Sequence, residues 1–394
     1  MTEGTFGKKI RNSNLELLRI LCILFIIGDH FTGQSGIYEG GNIGNHFFYS
    51  AVTSLSRVAC SVFIIISAWF LVEKEFRFKR IIHVWLTVVM YTVPITVYLY
   101  VIGIASRGNI VAAFLPVEQS PLWFAGYYIV LVFIAPFLNL LICKAPKSVL
   151  EFFLFIFFCG QCLYTTITTD LGFFSNDIWT LIFLYLLTGY LKKYVIGRPK
   201  AGRAFILFGL VWLCHTVGRA IAANYGMALL ADYCETYRAR LQTIPNLLMA
   251  YSIFYAFLGL RINYSRIINT LASATLGVYC FHQVPVWYTY LWEHGFRSAV
   301  YNQTLHGLKR MLYTLCSILA VWIIGTMIEL IRTKMASLLI EDRKYCVNFC
   351  RKIDACMNGD ESKENKGKNK KILAAIAAVC SIYFLLLRIY ALGF

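Results

Sequence analysis

Stretches of about 20 mainly apolar residues recur along this chain, each long enough to cross the hydrocarbon core of a bilayer. They fall near 15–32, 50–72, 82–104, 121–143, 149–168, 177–191, 204–224, 242–260, 270–291, 308–331 and 372–390. The sixth is short and the last stands apart, so the count is ten or eleven. Charge is scarce: Asp, Glu, Lys and Arg make up 14% of the chain and hydrophobic residues 59%. A soluble domain has roughly 25% charged and 45–50% apolar residues. That balance excludes a soluble enzyme, a disordered chain and a coiled coil. The expected fold is an all-α polytopic membrane protein, a bundle of about ten core transmembrane helices plus one C-terminal helix.

The charge that is present is lopsided, with 37 Lys and Arg against 20 Asp and Glu, a net +17. Nucleic-acid affinity would be one explanation of such an excess. Its placement favours another, the excess of cations in cytoplasmic loops. With the N-terminus in the cytoplasm, beside Lys8, Lys9 and Arg11, the inner connections receive Lys74, Arg77, Lys79, Arg80, Lys144, Lys147, Lys192, Lys193, Arg198, Lys200, Arg203, Arg261 and Arg266. The segment after the tenth span adds Arg332, Lys334, Arg343, Lys344, Arg351 and Lys352. The outer side keeps Arg107, Arg238, Arg240, Arg297, Lys309 and Arg310. No nucleic-acid partner is expected; membrane lipids are. Arg19, Asp29 and His30 interrupt the first apolar run and no small-residue cleavage site follows, so it reads as an uncleaved helix. The expected organisation is a helical bundle over 1–335, a charged cytoplasmic linker over 336–371, of which 341–371 is expected to be mobile by its Lys/Glu/Asn-rich composition, and a further transmembrane helix over 372–394. Of 13 cysteines most lie in apolar runs, and Cys346, Cys350 and Cys356 have no histidine nearby, so neither a disulfide framework nor a metal site is expected.

Ionisable residues inside spans carry the functional information, because a charge at mid-bilayer costs at least a few kcal/mol. Arg19 and His30 are eleven residues apart, so they share one helix face at heights differing by about 16 Å. One stripe thus carries a permanent cation low and a titratable base high. Arg19 otherwise snorkels to the interface, and His30 otherwise caps the outer end. Asp29 lies about 100° away from that stripe, to orient His30 from a neighbouring helix or to face outer water. Arg57 and His282 reach a depth similar to His30 from their own spans. Arg77, Arg80 and His83 recur at three-residue spacing and form one basic edge, suited to phosphates or simply part of the inner charge excess. His215 and Arg219 form an i,i+4 pair that favours neutral His215, read as structural. Trp123, Tyr127 and Tyr128 cluster at the outer start of the fourth span, a stacking face for a sugar or an interfacial belt.

These residues resemble a family. Asn14-Leu15-Glu16-Leu17-Leu18-Arg19-Ile20 through Asp29-His30-Phe31 is similar to the opening of the integral-membrane acyltransferase family 3, marked by an Arg, ten residues and a His. Arg57 to Phe70, ending Phe63-Ile64-Ile65-Ile66-Ser67-Ala68-Trp69-Phe70, resembles its second-helix stretch, with Ala68 where Gly is usual and Cys60 where Pro is common. Arg77-x-x-Arg80 is similar to its RxxR motif, and Pro121-Leu122-Trp123-Phe124 to its Leu-Trp-Phe. Leu276-Gly277-Val278-Tyr279-Cys280-Phe281-His282 resembles its Gly-x-Tyr-x-x-His. The resemblance spans roughly residues 13–335.

The resemblance implies O-acyl transfer, usually of acetyl, from cytoplasmic acyl-CoA to a hydroxyl of a cell-surface or lipid-linked glycan, in a bacterial plasma membrane. On that expectation Arg77, Arg80 and Arg19 hold acetyl-CoA or another acyl-CoA. His30 acts as general base or as a covalent acyl carrier, with Arg19, Arg57 and Asp29 in the catalytic set. His282, Trp123 and Tyr127 meet the acceptor. The rival class is a glycan or small-molecule transporter, which needs no CoA.

Overall fold

The computed structural model describes residues 12–34, 42–72, 74–115, 122–171, 176–195, 197, 200–358 and 374, and the regular structure among them is helical throughout. In a bilayer, a backbone without water must satisfy its own N–H and C=O groups, and helices do so within each segment. The order is α1 (Ser13–Gln34), α2 (Ile43–Thr53), α3 (Ser56–Leu71), α4 (Lys79–Val101), α5 (Arg107–Ala113), α6 (Trp123–Lys144), α7 (Lys147–Phe157), α8 (Tyr164–Thr168), α9 (Asp177–Tyr190), α10 (Ala201–Tyr225), α11 (Ala228–Ala239), α12 (Ile244–Gly259), α13 (Arg266–Ser273), α14 (Thr275–Gln283), α15 (Trp287–Tyr290), α16 (Ser298–Thr304), α17 (Gly307–Ala336) and α18 (Lys344–Met357).

Helix α1 is the hub. It packs against α2, α3, α12, α13, α14 and α17, and Leu15, Leu18, Cys22, Ile23, Ile26, Ile27 and Phe31 are buried around it. The outer helices differ in kind. Ile206, Leu210 and Leu213 on α10, Phe152 and Phe155 on α7, and Leu312, Ile323, Met327 and Ile331 on α17 all expose large apolar side chains. Such a belt has no place in water and fits lipid.

Hydrogen bonds between connections show that the spans alternate in direction. Lys192 Nζ donates to Trp69 O (3.0 Å), Lys193 Nζ to Ile142 O (2.8 Å), and Asn139 Nδ2 to Leu71 O (3.1 Å). These group the ends near 71, 142 and 192 on one face. On the other, Thr169 Oγ1 donates to Asp232 (3.2 Å) and Arg238 Nη1 to Asp29 (3.2 Å). The grouping is the one expected from charge.

The spans that qualify are fewer than the apolar runs of the sequence. Among the described residues six helical stretches qualify by length and apolarity, or seven if α11 and α12, bent by 45° at their junction, are one span. Helix α1 is long enough at 22 residues but carries Glu16, Arg19 and Asp29, and α9 has only 14 residues. The stretch expected as one helix over 270–291 is broken into α13, α14 and α15. Pro285 supplies the second break, since it lacks an N–H and crowds the preceding turn. Val286 follows with φ +67°, a region costly for a β-branched residue. The helix expected from residue 50 starts at Ile43 and is interrupted at Ser54–Leu55, giving α2 and α3. Within the expected linker over 336–371, residues 337–357 are ordered: a wide turn over Ser337–Glu341 leads into α18. Cys346, Cys350 and Ile353, at i, i+4 and i+7, put one apolar stripe of α18 against the bundle. Apart from Ala374, the last expected span lies outside the described residues.

One crossing positions the site. Helix α14 meets α17 through Gly277 and Gly325. A Cβ on Gly277 would stand 2.1 Å from Glu329 Oε2, and one on Gly325 would stand 3.3 Å from Val278 Cα. Only a residue without a side chain allows α14 to lie this deep against α17. Glu329 is itself held by Arg332 Nε and Nη2 (2.6 and 2.8 Å), Tyr91 Oη (3.0 Å) and Thr333 Oγ1 (3.0 Å). Every partner a buried carboxylate needs is present.

Candidate active site

His30, near the C-terminal end of α1, meets α14. His30 Nδ1 lies 2.9 Å from His282 Nε2, with ring centroids 5.1 Å apart. His282 is fully buried, and its Nδ1 is 2.6 Å from Val278 O one turn back. A carbonyl only accepts, so His282 Nδ1 carries a proton. If the ring is neutral, His282 Nε2 is then an acceptor. The short contact to His30 therefore requires the proton on His30 Nδ1, which leaves the lone pair on His30 Nε2. Gln283, also buried, brings its side-chain amide to 2.8 Å from the same His30 Nδ1. With that nitrogen protonated, the amide presents its oxygen there; nitrogen and oxygen exchange on a flip of the group. A two-histidine relay thus fixes the tautomer of His30 from the bundle interior.

Arg57 on α3 is the nearby cation, and its charge acts on the His30 ring. Its guanidinium lies over Trp123, 4.8 Å from the ring centroid, and Nη1 is 3.5 Å from Asp177 Oδ2. That separation is an ion pair without a hydrogen bond, and Nη1 is buried with no hydrogen-bond acceptor. A buried donor left unsatisfied costs about 1–3 kcal/mol. The wall continues as rings: Tyr127 packs on Trp123 (5.8 Å), Trp123 on Phe124 (5.7 Å), and Phe124 on Tyr279 (6.1 Å). Tyr279 in turn stands edge-on to His282 (6.3 Å).

Other expected residues lie elsewhere. The Asp29 carboxylate pairs with Arg238 Nη1 at 3.2 Å. Arg238 also binds Glu235 through Nε (2.7 Å), and Glu235 binds Arg219 Nη2 (2.7 Å). Arg219 further reaches Thr53 Oγ1 (2.5 Å) and His215 Nε2 lies 3.0 Å from Cys234 O, so this pair ties α10 to α2 and α11. Arg19 is engaged with Glu16, 3.2 Å from both carboxylate oxygens. It remains about 16 Å along the helix axis from His30.

Arg77 and Arg80 sit on the opposite face. Arg77 is exposed and Arg80 half-buried. Arg80 Nη1 donates to Glu75 O (3.1 Å), and the residue lines a small cleft with Leu71, Lys74, Phe76, Val132, Pro136 and Asn139. Tyr128 and Tyr185 lie within electrostatic range of Arg80, and Tyr128 stacks on Phe124 at 6.4 Å with planes 13° apart. One ladder of α6 rings therefore runs from the surroundings of Arg80 to the wall beside His282.

Gln283, Asp177, Arg238 and Glu329 are the polar partners that reading the sequence passed over. Glu329 carried a signal, a carboxylate inside an expected span. Asp177 and Arg238 looked like ordinary loop charges.

With this geometry in place, the comparisons give the class. The sequence model of the acyltransferase domain family, acyltransferase family 3, matches residues 12–329. The chain is a member of that family, a helical membrane protein with an acyltransferase domain. No curated protein and no solved structure matches it.

Proposed function

We propose that this protein moves an acyl group, acetyl in the simplest case, from acyl-CoA to a hydroxyl of a cell-surface or lipid-linked glycan. The observation that carries the reading is the relay Val278 O, His282, His30, which leaves a lone pair on His30 Nε2, with the unsatisfied Arg57 donor within electrostatic range of that ring. That is the equipment for removing a proton from a hydroxyl and stabilising the oxyanion formed when it attacks a thioester. The acceptor oxygen bonds to the carbonyl carbon and its proton passes to His30 Nε2. The tetrahedral oxyanion is met by Arg57. The C–S bond then breaks, and the thiolate takes the proton back from His30, giving the ester and free CoA.

Supply from two sides follows from the layout. Arg77 and Arg80, and with them Arg19 on α1, suit the phosphates of CoA. The positive-inside bias supports a cytoplasmic reading of that face, with the N-terminus inside a plasma membrane. A pantetheine arm is thin enough to follow the Tyr128–Phe124 ladder towards His30. The acceptor sugar enters from the other face, past Trp123 and Tyr127.

The test is radiolabelled acetyl-CoA supplied to inside-out vesicles with endogenous glycan. Label in lipid-linked or polymeric glycan is expected. Label confined to free acetyl-CoA, together with a glycan-export defect in a deletion strain, would mark a transporter instead.

A further inference from the structure

The segment that carries Arg77 has no helix or sheet of its own to hold it. Residues 74–77 are irregular between α3 and α4, yet Phe76 is buried and Phe78 half-buried. Their backbone groups need partners, and α18 provides them. Asn358 takes Phe76 from both sides: Phe76 N donates to its Oδ1 (3.0 Å), and its Nδ2 donates to Phe76 O (3.1 Å). Phe78 N donates to Asp354 Oδ1 at 2.6 Å. Asp354 on α18 and Asn358, the residue that caps its C-terminal end, are one turn apart, so the end of a single helix face supplies both. Phe349, a further turn back, packs edge-on against Phe78 (5.9 Å).

The grip extends along α4. Lys79 Nζ binds Asp342 (2.7 Å), and His83 Nδ1 is 2.8 Å from Glu341 Oε1. Arg77 is thus held between two clamped neighbours while its side chain stays exposed. Asp354 also lies within electrostatic range of Arg80, on which Arg77 acts as a like charge. An anion there offsets part of the repulsion between two cations that must sit together before any phosphate arrives. Helix α18 lies beyond residue 329, where the family match ends.

We propose that Asp354 and Asn358 are positioning residues of the donor site, fixing the backbone on either side of Arg77 so that Arg77 and Arg80 present a preformed cradle to the phosphates of acyl-CoA. This rests on the reading that those two arginines bind the donor. Preorganisation of this kind sets donor affinity and leaves the chemistry at His30 alone.

The experiment uses the full-length protein in vesicles and follows CoA release against donor concentration, comparing acetyl-CoA with acetyl-pantetheine, which lacks the phosphates. Asp354→Ala with Asn358→Ala is expected to raise KM for acetyl-CoA about ten-fold, as for loss of one or two backbone-clamping hydrogen bonds. Its kcat should stay within about two-fold, and its rate with acetyl-pantetheine should match the wild type. Asp354→Asn, which keeps the accepting oxygen, should recover most of the donor affinity lost in Asp354→Ala. The single variants Asp354→Ala and Asn358→Ala carry the test if the double variant does not fold. Equal losses with both donors would reduce α18 to a purely structural role and overturn the inference. So would an unchanged KM in the face of a raised KM for Arg77→Ala with Arg80→Ala. If that arginine pair also leaves KM unchanged, the donor reading beneath the inference fails as well.

Discussion

Replacing His282 by Ala tests the relay most sharply, because it leaves His30 in place and removes only what fixes its tautomer. His282 accepts the His30 Nδ1 proton across 2.9 Å and is itself held by Val278 O at 2.6 Å. A hydrogen bond of this kind contributes about 0.5–1.5 kcal/mol net. Withdrawing that bias lets the proton settle on Nε2, the atom that must be bare to act as base. The same bond also steadies the imidazolium that His30 becomes as it takes the proton, and losing about 1.4 kcal/mol there lowers kcat about ten-fold. Gln283 still reaches His30 Nδ1 at 2.8 Å and should retain part of the bias. Removing it too, as His282→Ala with Gln283→Ala, should bring the loss towards 100-fold, about twice the free energy. His30→Ala removes the base outright, with an expected loss of about 10²–10⁴. The assay is the initial rate of CoA release at saturating donor, with donor KM measured in parallel and expected to hold. An unchanged kcat in His282→Ala would refute the relay. A loss equal to that of His30→Ala would show that His282 does more than hold a proton in place.

Arg57→Ala should lower kcat about 10²–10³-fold through loss of the oxyanion donor, while Arg57→Lys recovers only part because it lacks the planar fork; steady-state kinetics on folded protein decides. Asp29→Asn should change kcat less than about five-fold, since the Asp29 carboxylate is engaged by Arg238; a loss matching His30→Ala would place Asp29 in the reaction. Glu329→Ala strands buried Arg332 and should destabilise the protein by about 3–5 kcal/mol, read as a lower thermal midpoint in detergent, whereas a joint Glu329→Leu, Arg332→Leu change should cost less. Gly277→Ala puts a methyl 2.1 Å from Glu329 Oε2, so it should lower the same midpoint by disturbing that network; an unchanged midpoint would mean α14 and α17 separate freely.

Apolar runs and alternating loop charge made the helical membrane class and the alternation of its ends legible from residue order alone, because bilayer thickness and the positive-inside bias act on composition. The shared face of Arg19 and His30 followed from helical repeat, and the approach of His282 to His30 was foreshadowed only as similar depth. What could not be read was which polar group pairs with which. Asp29 was open to orienting His30 or to facing outer water, and α11 folds back to bring Arg238 to it. Gln283, one residue beyond a motif histidine, proved to touch His30. The broken stretch after Arg266 is encoded by Pro285 and by the packing of Gly277 on Glu329, a long-range contact invisible to a window of apolar residues. Helix α18 was hidden by composition: its segment is polar overall, and three small apolar positions, Cys346, Cys350 and Ile353, dock it.

The most direct measurement of the central claim pairs donor binding with turnover in one variant. Wild-type and His30→Ala protein in vesicles are given labelled acetyl-CoA and acceptor glycan, and both bound donor and labelled glycan are counted. The account predicts that His30→Ala binds donor as the wild type does and makes essentially no labelled glycan. Undiminished transfer by His30→Ala would contradict it.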